Sequence, residues 1–463
     1  MSSKSNTSLT LGTLVDWGRG YSEMSDSMCS KKVGTVWNDS RKVTRGDVFA
    51  AFRTECNDGH KFVKAAFDNG AVAAIVDKKG VKDVAETLRN KCIVVNDTLK
   101  GVQRMAARYR KEMGLLVIGI TGSNGKTTTR AFISSVLRNV IKVGETYTNW
   151  NNHIGVPLSL LRFEGDEWAG VIEMGANHEN EIRPLSKLVK PDIAVISNIG
   201  YAHVGLFGSL EKTTKAKFEI SEGLSRDGFM LLNGDDARLV KGAAERGLKS
   251  VFYGTSPRCD IRVRDVNVCP ETGITFTVDG QEYLLRMPGR HFIYCVLPAI
   301  YIAKRCRVPD EVIRDAIADL EPVSLRGMVK EKNDVRFIVD CYNANPGSMD
   351  SAIAYMRDIT ESTGNRVAVV GDMLELGVYS KRLHKRLGSR LAKADLKIIV
   401  AVGEFAEDVI EGARKEGFPV KRIFGAKNAD GALEVLKNSL KGGETILLKG
   451  SRSIGLEKVY EGY

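Results

Sequence analysis

At 463 residues the chain is too long for a single hydrophobic core and implies about three domains. Hydrophobic residues make up 43% and charged residues 27%, an ordinary globular balance, and no apolar run approaches the roughly 20 residues that span a membrane. The net charge of +11 is spread along the chain without a basic stripe interleaved with aromatics, so it suits anionic small-molecule substrates better than nucleic acid. The opening Met-Ser-Ser-Lys-Ser-Asn-Thr-Ser lacks an apolar signal core, and the eight cysteines form no C-x-x-C pair. A cytoplasmic, monomeric protein with reduced thiols and no zinc site is therefore expected.

Residues 1–97 read as a first, small α/β unit. Thr35-Val-Trp-Asn-Asp-Ser-Arg41 and Lys42-Val-Thr-Arg-Gly-Asp-Val-Phe-Ala-Ala-Phe52 precede helices near 61–68 and 81–89 and strands at 71–76 and 92–95. Ser40 and Arg41 sit beside a turn. An arginine fork there suits a diphosphate, and the same residues also suit a surface Asp–Arg pair.

Residues 98–322 form a second unit. After a helix over 99–111, the apolar run Leu115–Ile120 reads as a buried parallel strand. It leads into Thr121-Gly122-Ser123-Asn124-Gly125-Lys126-Thr127-Thr128 and a helix with Phe132, Ile133, Val136 and Leu137 on one face. Strand, glycine turn and helix make a phosphate-binding loop, in which backbone N–H groups at a helix start face the anion. Lys126 is placed to reach the β- and γ-phosphates, and the Thr127 hydroxyl to hold Mg²⁺. The loop is shorter than G-x-x-x-x-G-K-[ST], because Ile120 stands where the first glycine belongs. Strands over 169–175, 192–198 and 228–233 each deliver polar residues at their C-terminal ends, where open parallel sheets bind ligands. Glu173 ends a strand parallel to the phosphate-loop strand and can complete a Mg²⁺ shell. His203 precedes a helical stretch over 209–224. Taken alone, Lys217, with Lys212 and Lys215 close by, reads as a solvated face of that helix.

Residues 323–463 alternate strands (335–340, 366–371, 397–402, 444–448) with helices (348–360, 380–392, 405–415, 428–440), a doubly wound, Rossmann-like pattern. Asp340 is placed like an acidic residue that holds a ribose hydroxyl. Arg326, in the stretch between units, can close onto a triphosphate as a finger supplied in cis. The expected class is thus α/β, with a central P-loop-type, mostly parallel sheet between a small N-terminal α/β domain and a C-terminal Rossmann-like domain.

These residues carry a resemblance over essentially the whole chain. Thr-Gly-Ser-Asn-Gly-Lys-Thr-Thr resembles the ATP loop of Mur ligases, the ATP-dependent amide ligases of peptidoglycan synthesis, and is shared with folylpolyglutamate synthases. Asp340-Cys-Tyr-Asn-Ala-Asn-Pro-Gly-Ser-Met349, Gly371-Asp-Met-Leu-Glu-Leu-Gly377 and Lys449-Gly-Ser-Arg-Ser453 resemble the MurF type. That type adds D-alanyl-D-alanine to UDP-N-acetylmuramoyl-tripeptide through an acyl phosphate.

The resemblance implies ATP as co-substrate and two Mg²⁺ sites. Thr127 and Glu173 would serve one, and His203 with a carbamylated Lys217 the other. Catalytic roles fall on Lys126, His203, Lys217 and Arg326. Asp340 joins residues 121–128 in holding ATP. The UDP-sugar falls to the first domain. Ser40, Arg41, Asn152, Tyr342, Asn343, Asn345, Ser451 and Arg452 are the implied substrate-binding positions. One departure stands out: where the MurF type carries His-Asn-x-x-Asn, with an asparagine facing adenine, this chain has His291-Phe292-Ile-Tyr-Cys295. The rival readings are another amide ligase of the superfamily and a nucleotide-regulated binding protein without turnover.

Overall fold

The computed structural model describes residues 7–55, 57–360 and 365–463. The first six residues, read above for a signal core, and Cys56 lie outside them. The described chain forms three sheets.

The first sheet holds β1 (Val36–Trp37), β2 (Val48–Ala50), β3 (Ala73–Asp77) and β4 (Cys92–Val95), all parallel and in sequence order. The expected helix near 81–89 is instead two short turns, Gly80–Asp83 and Glu86–Arg89.

The central sheet contains β5 (Leu116–Thr121), β6 (Val143–Glu145), β7 (Ala169–Glu173), β8 (Ile193–Ile196), β9 (Phe229–Asn233), β10 (Ser250–Gly254), β11 (Ile261–Cys269), β12 (Gly273–Val278) and β13 (Gln281–Leu285). Its order is β13-β12-β11-β10-β9-β8-β5-β7-β6. Strands β5 to β11 are parallel, and β11–β13 form an antiparallel extension for which the sequence reading assigned no element. Strand β5 lies between β7 and β8, so the chain leaves it toward both edges of the sheet. A crevice at such a switch point, beyond the carboxyl ends of the strands, is where open α/β sheets take ligands.

The third sheet runs β14 (Met328–Lys332), β15 (Val335–Asp340), β19 (Thr445–Lys449), β16 (Arg366–Gly371), β17 (Ile398–Val402) and β18 (Ile423–Ala426). Only the edge strand β14 is antiparallel. Its four predicted strands lie where the sequence put them, to within a residue. Strand β14, with a mixed and half-exposed burial pattern, carried no such signal.

Among the described residues no helix is long and apolar enough to cross a membrane. One buried cluster joins the central sheet to the third domain through Phe132, Phe292, Met349 and Tyr355; another joins the first sheet to the central one.

Candidate active site

The phosphate loop takes its shape from two glycines. Gly122 (φ 143°) leaves no room for a side chain, since a Cβ there would fall 2.0 Å from Ser197 Oγ. Gly125 (φ 78°) caps the helix Lys126–Arg138, whose first N–H groups face a cavity of about 680 Å³. Residues 123–128 line that cavity; Thr121 is fully buried beneath. The Lys126 ammonium donates to the Gly122 and Ser123 carbonyls at 2.9 and 3.4 Å. Burial lowers its pKa, against the opposing pull of the nearby Glu173.

Glu173 is buried at the end of β7. Its backbone N–H donates to Thr146 Oγ1 (2.8 Å), and Asn151 Nδ2 donates to its Oε1 (2.8 Å). Its Oε2 is buried without a hydrogen-bond partner. An unpaired carboxylate oxygen beside an ammonium is costly unless a cation or donor meets it. The residues present therefore fit a divalent cation, although among the described residues no cluster of three His, Cys, Asp or Glu side chains exists to hold one without substrate oxygens.

His203, in a left-handed turn (φ 57°), points Nδ1 at the Glu375 carboxylate of the third domain. Burial, followed by the charge of Lys126, lowers its pKa. The turn is pressed against that domain: Gly205 N donates to Glu375 O (2.9 Å), and a Cβ on Gly205 would fall 2.4 Å from Gly377 N.

Lys217 corrects the reading from its neighbours alone. The helix Leu210–Phe218 turns Thr213, Ala216 and Lys217 inward, and Lys217 is 2% exposed. Its Nζ lies 3.5 Å from the Ala176 carbonyl and 5.2 Å from the Phe207 ring centre. Burial, with Lys126 adding to it, lowers its pKa from 10.5 to about 7. The expected single helix over 209–224 also breaks at Phe218 into a 3₁₀ turn.

The third domain closes the cavity. Arg326 stacks on the Tyr342 ring (3.9 Å) and donates to Thr127 Oγ1 (3.2 Å). Asp340 ends β15 beside Lys449, which entered above as the first residue of Lys-Gly-Ser-Arg-Ser without a role of its own. Lys449 is 1% exposed, and its Nζ donates to Asp340 Oδ2 (2.6 Å) and the Asn343 carbonyl (3.1 Å). It therefore fixes the carboxylate from behind. Phe292 packs among Phe132, His291 and Tyr355, and the Cys295 thiol faces the Gly125 carbonyl at 4.0 Å. Burial pushes that thiol up to about 11 and holds His291 neutral, at about 4.

The remaining expected substrate residues divide. Asn152, Tyr342, Asn343 and Asn345 line the cavity. Asn152 Oδ1 accepts from Ile154 N and Gly155 N, and Asn345 caps a helix. Ser40, Arg41, Ser451 and Arg452 do not line it. Arg41 is exposed and paired with Asp39 (2.9 Å), Ser451 Oγ accepts from Leu374 N (2.9 Å), and Arg452 pairs with Glu457 (2.6 Å).

Models of the Mur ligase family, catalytic domain (residues 32–110), the Mur ligase middle domain (120–303) and the Mur ligase glutamate ligase domain (326–452) match the chain in that order. The chain belongs to the Mur ligase family, and within it to the MurF type. A UDP-N-acetylmuramoyl-tripeptide–D-alanyl-D-alanine ligase of Bacillus subtilis is 35% identical over 92% of each chain. Its counterpart from Escherichia coli is 31% identical, covering 98% of this chain and 97% of that one. Among solved structures, MurF from Acinetobacter baumannii superposes with TM-score 0.87 at 29% identity over 99% of both chains. MurF from Thermotoga maritima in complex with ADP gives 0.79 at 28% identity, over 93% of this chain and 96% of that one.

Proposed function

We propose that this chain joins D-alanyl-D-alanine to UDP-N-acetylmuramoyl-tripeptide with conversion of ATP to ADP and phosphate, in the cytoplasm and as a monomer. The observation that carries this reading is a single cavity, lined on one wall by the phosphate loop, Glu173 and His203, and on the other by Arg326, Asp340 and the Tyr-Asn-Ala-Asn segment. The division of labour is residues 1–97 for the UDP-sugar, 98–322 for ATP and 323–463 for the dipeptide. One of the three sheets falls in each of those ranges.

Lys126 and the loop N–H groups hold the phosphates, and Asp340, braced by Lys449, holds the ribose. The tripeptide carboxylate attacks the γ-phosphorus and ADP leaves. Arg326, already beside Thr127, spreads the charge of the moving phosphoryl group. The dipeptide amine then attacks the acyl phosphate, and phosphate departs as the amide forms. Magnesium held by Thr127 and Glu173, and a second ion held by His203 and a carbamate of Lys217, would supply further charge neutralisation when bound. The carbamate requires a neutral amine to meet CO₂, and a buried lysine whose pKa is lowered to about 7 supplies one.

Incubation with ATP, Mg²⁺, D-alanyl-D-alanine and UDP-muramoyl-tripeptides carrying lysine or diaminopimelate is expected to yield a pentapeptide product by mass spectrometry. Absence of that product where ATP binds would overturn the reading.

The base end of the cavity makes a second expectation. A phenyl ring and a thiol replace two amides there, each amide hydrogen bond contributing about 0.5–1.5 kcal/mol. GTP is expected to support turnover within about a hundredfold of ATP, a gap of roughly 2.7 kcal/mol. A larger preference in kcat/KM would show that other groups read the base.

A further inference from the structure

Asn124 and Asn345 stand 221 residues apart in sequence, on different domains, and their side-chain amides meet face to face. Asn124 Nδ2 donates to Asn345 Oδ1 at 3.1 Å, and Asn345 Nδ2 donates back to Asn124 Oδ1 at 2.6 Å. The Ser348 N–H donates to Asn345 Oδ1 at 3.1 Å, which identifies that atom as the oxygen and so orients both amides. Asn345 is 4% exposed. Behind it stands the capping box of the helix Pro346–Asp358. Behind Asn124 stands Asn198 at the end of β8: its Oδ1 accepts from Asn124 N (2.9 Å), and its Nδ2 donates to Asn124 O (3.3 Å). The pair thus links the central sheet, through the phosphate loop itself, to the first turn of a helix in the third domain.

Resting on the function proposed above, we propose that the Asn124–Asn345 pair is a clasp that holds the third domain shut over the acyl phosphate. In this account Asn345 is a positioning residue and not a contact for the dipeptide. The chemistry gives the clasp its purpose. Water attacking the acyl phosphate returns the tripeptide carboxylic acid and phosphate, so an open site consumes ATP without forming an amide. A closed site leaves the dipeptide amine as the attacking group.

The test uses Asn345→Ser. Serine caps a helix about as well as asparagine, but its hydroxyl is too short to reach Asn124. The cap is kept and the clasp is lost. The wild type is expected to release one phosphate per amide formed, whereas Asn345→Ser releases several-fold more, with an unchanged thermal midpoint. A variant that stays coupled one to one overturns the clasp. Solution X-ray scattering with ADP bound reads closure without turnover. Asn345→Ser is expected to be more extended than the wild type, and identical profiles overturn the proposal. If the wild type itself forms no amide, the proposed function fails, and the scattering comparison alone decides on the clasp.

Discussion

Lys217→Ala is expected to lose turnover by about a thousandfold while remaining folded, the scale seen when a single charge-stabilising group leaves an active site. A lysine on a solvated helix face would change stability by no more than about 0.5 kcal/mol and leave activity intact. Lys217 is not such a lysine: it is 2% exposed, and its Nζ lies 3.5 Å from the Ala176 carbonyl. Its pKa, lowered to about 7, leaves a large neutral fraction near neutral pH, and the neutral amine is the form that combines with CO₂. The carbamate proposed for Lys217 would exchange a buried, poorly solvated cation for an anion. Acetate, entering the space that alanine leaves, is expected to restore part of the rate, with kcat rising with acetate concentration. Near-normal kcat in the unrescued variant would refute the role.

The second large effect falls on Arg326. A cis arginine that closes on a transferring phosphoryl group contributes about 10³–10⁵ in rate. Here the guanidinium is stacked at 3.9 Å on Tyr342 and set 3.2 Å from Thr127 Oγ1, so its plane is fixed before ATP arrives. Arg326→Lys keeps the charge but loses the stack and the fork. We expect kcat to fall about a thousandfold, with KM for ATP changing far less. Steady-state kinetics with both substrates saturating makes the measurement, and a kcat within tenfold of the wild type would contradict the assignment.

Local pattern carried most of the fold. Strand β5, its glycine turn and the helix after it are contiguous in sequence, and the third domain's four predicted strands are mostly apolar runs with nearly every residue buried. What escaped was tertiary. Thr213, Ala216, Lys217 and Ile220 follow helical spacing on a buried face, and the pattern is readable only if a lysine is admitted to a core. Lys449 ends a strand whose neighbour, β15, lies more than a hundred residues away in sequence, so its pairing with Asp340 depends on sheet order. Glu375 meets His203 only because the domains close, and the same holds for Asn124 and Asn345. The antiparallel strands over 261–285 alternate half-exposed and buried residues, a weaker signal than a buried run. The substrate positions carried over by resemblance in the first domain were the least legible. Arg41 is bound to Asp39, and burial of its neighbours does not direct it toward the cavity.

Isotope transfer reads directly whether ATP phosphorylates the tripeptide carboxylate before the amide forms. With ¹⁸O in both oxygens of the terminal carboxylate, one labelled oxygen is expected in each phosphate released, in step with each amide formed. Phosphate that carries no label while pentapeptide accumulates would contradict the account.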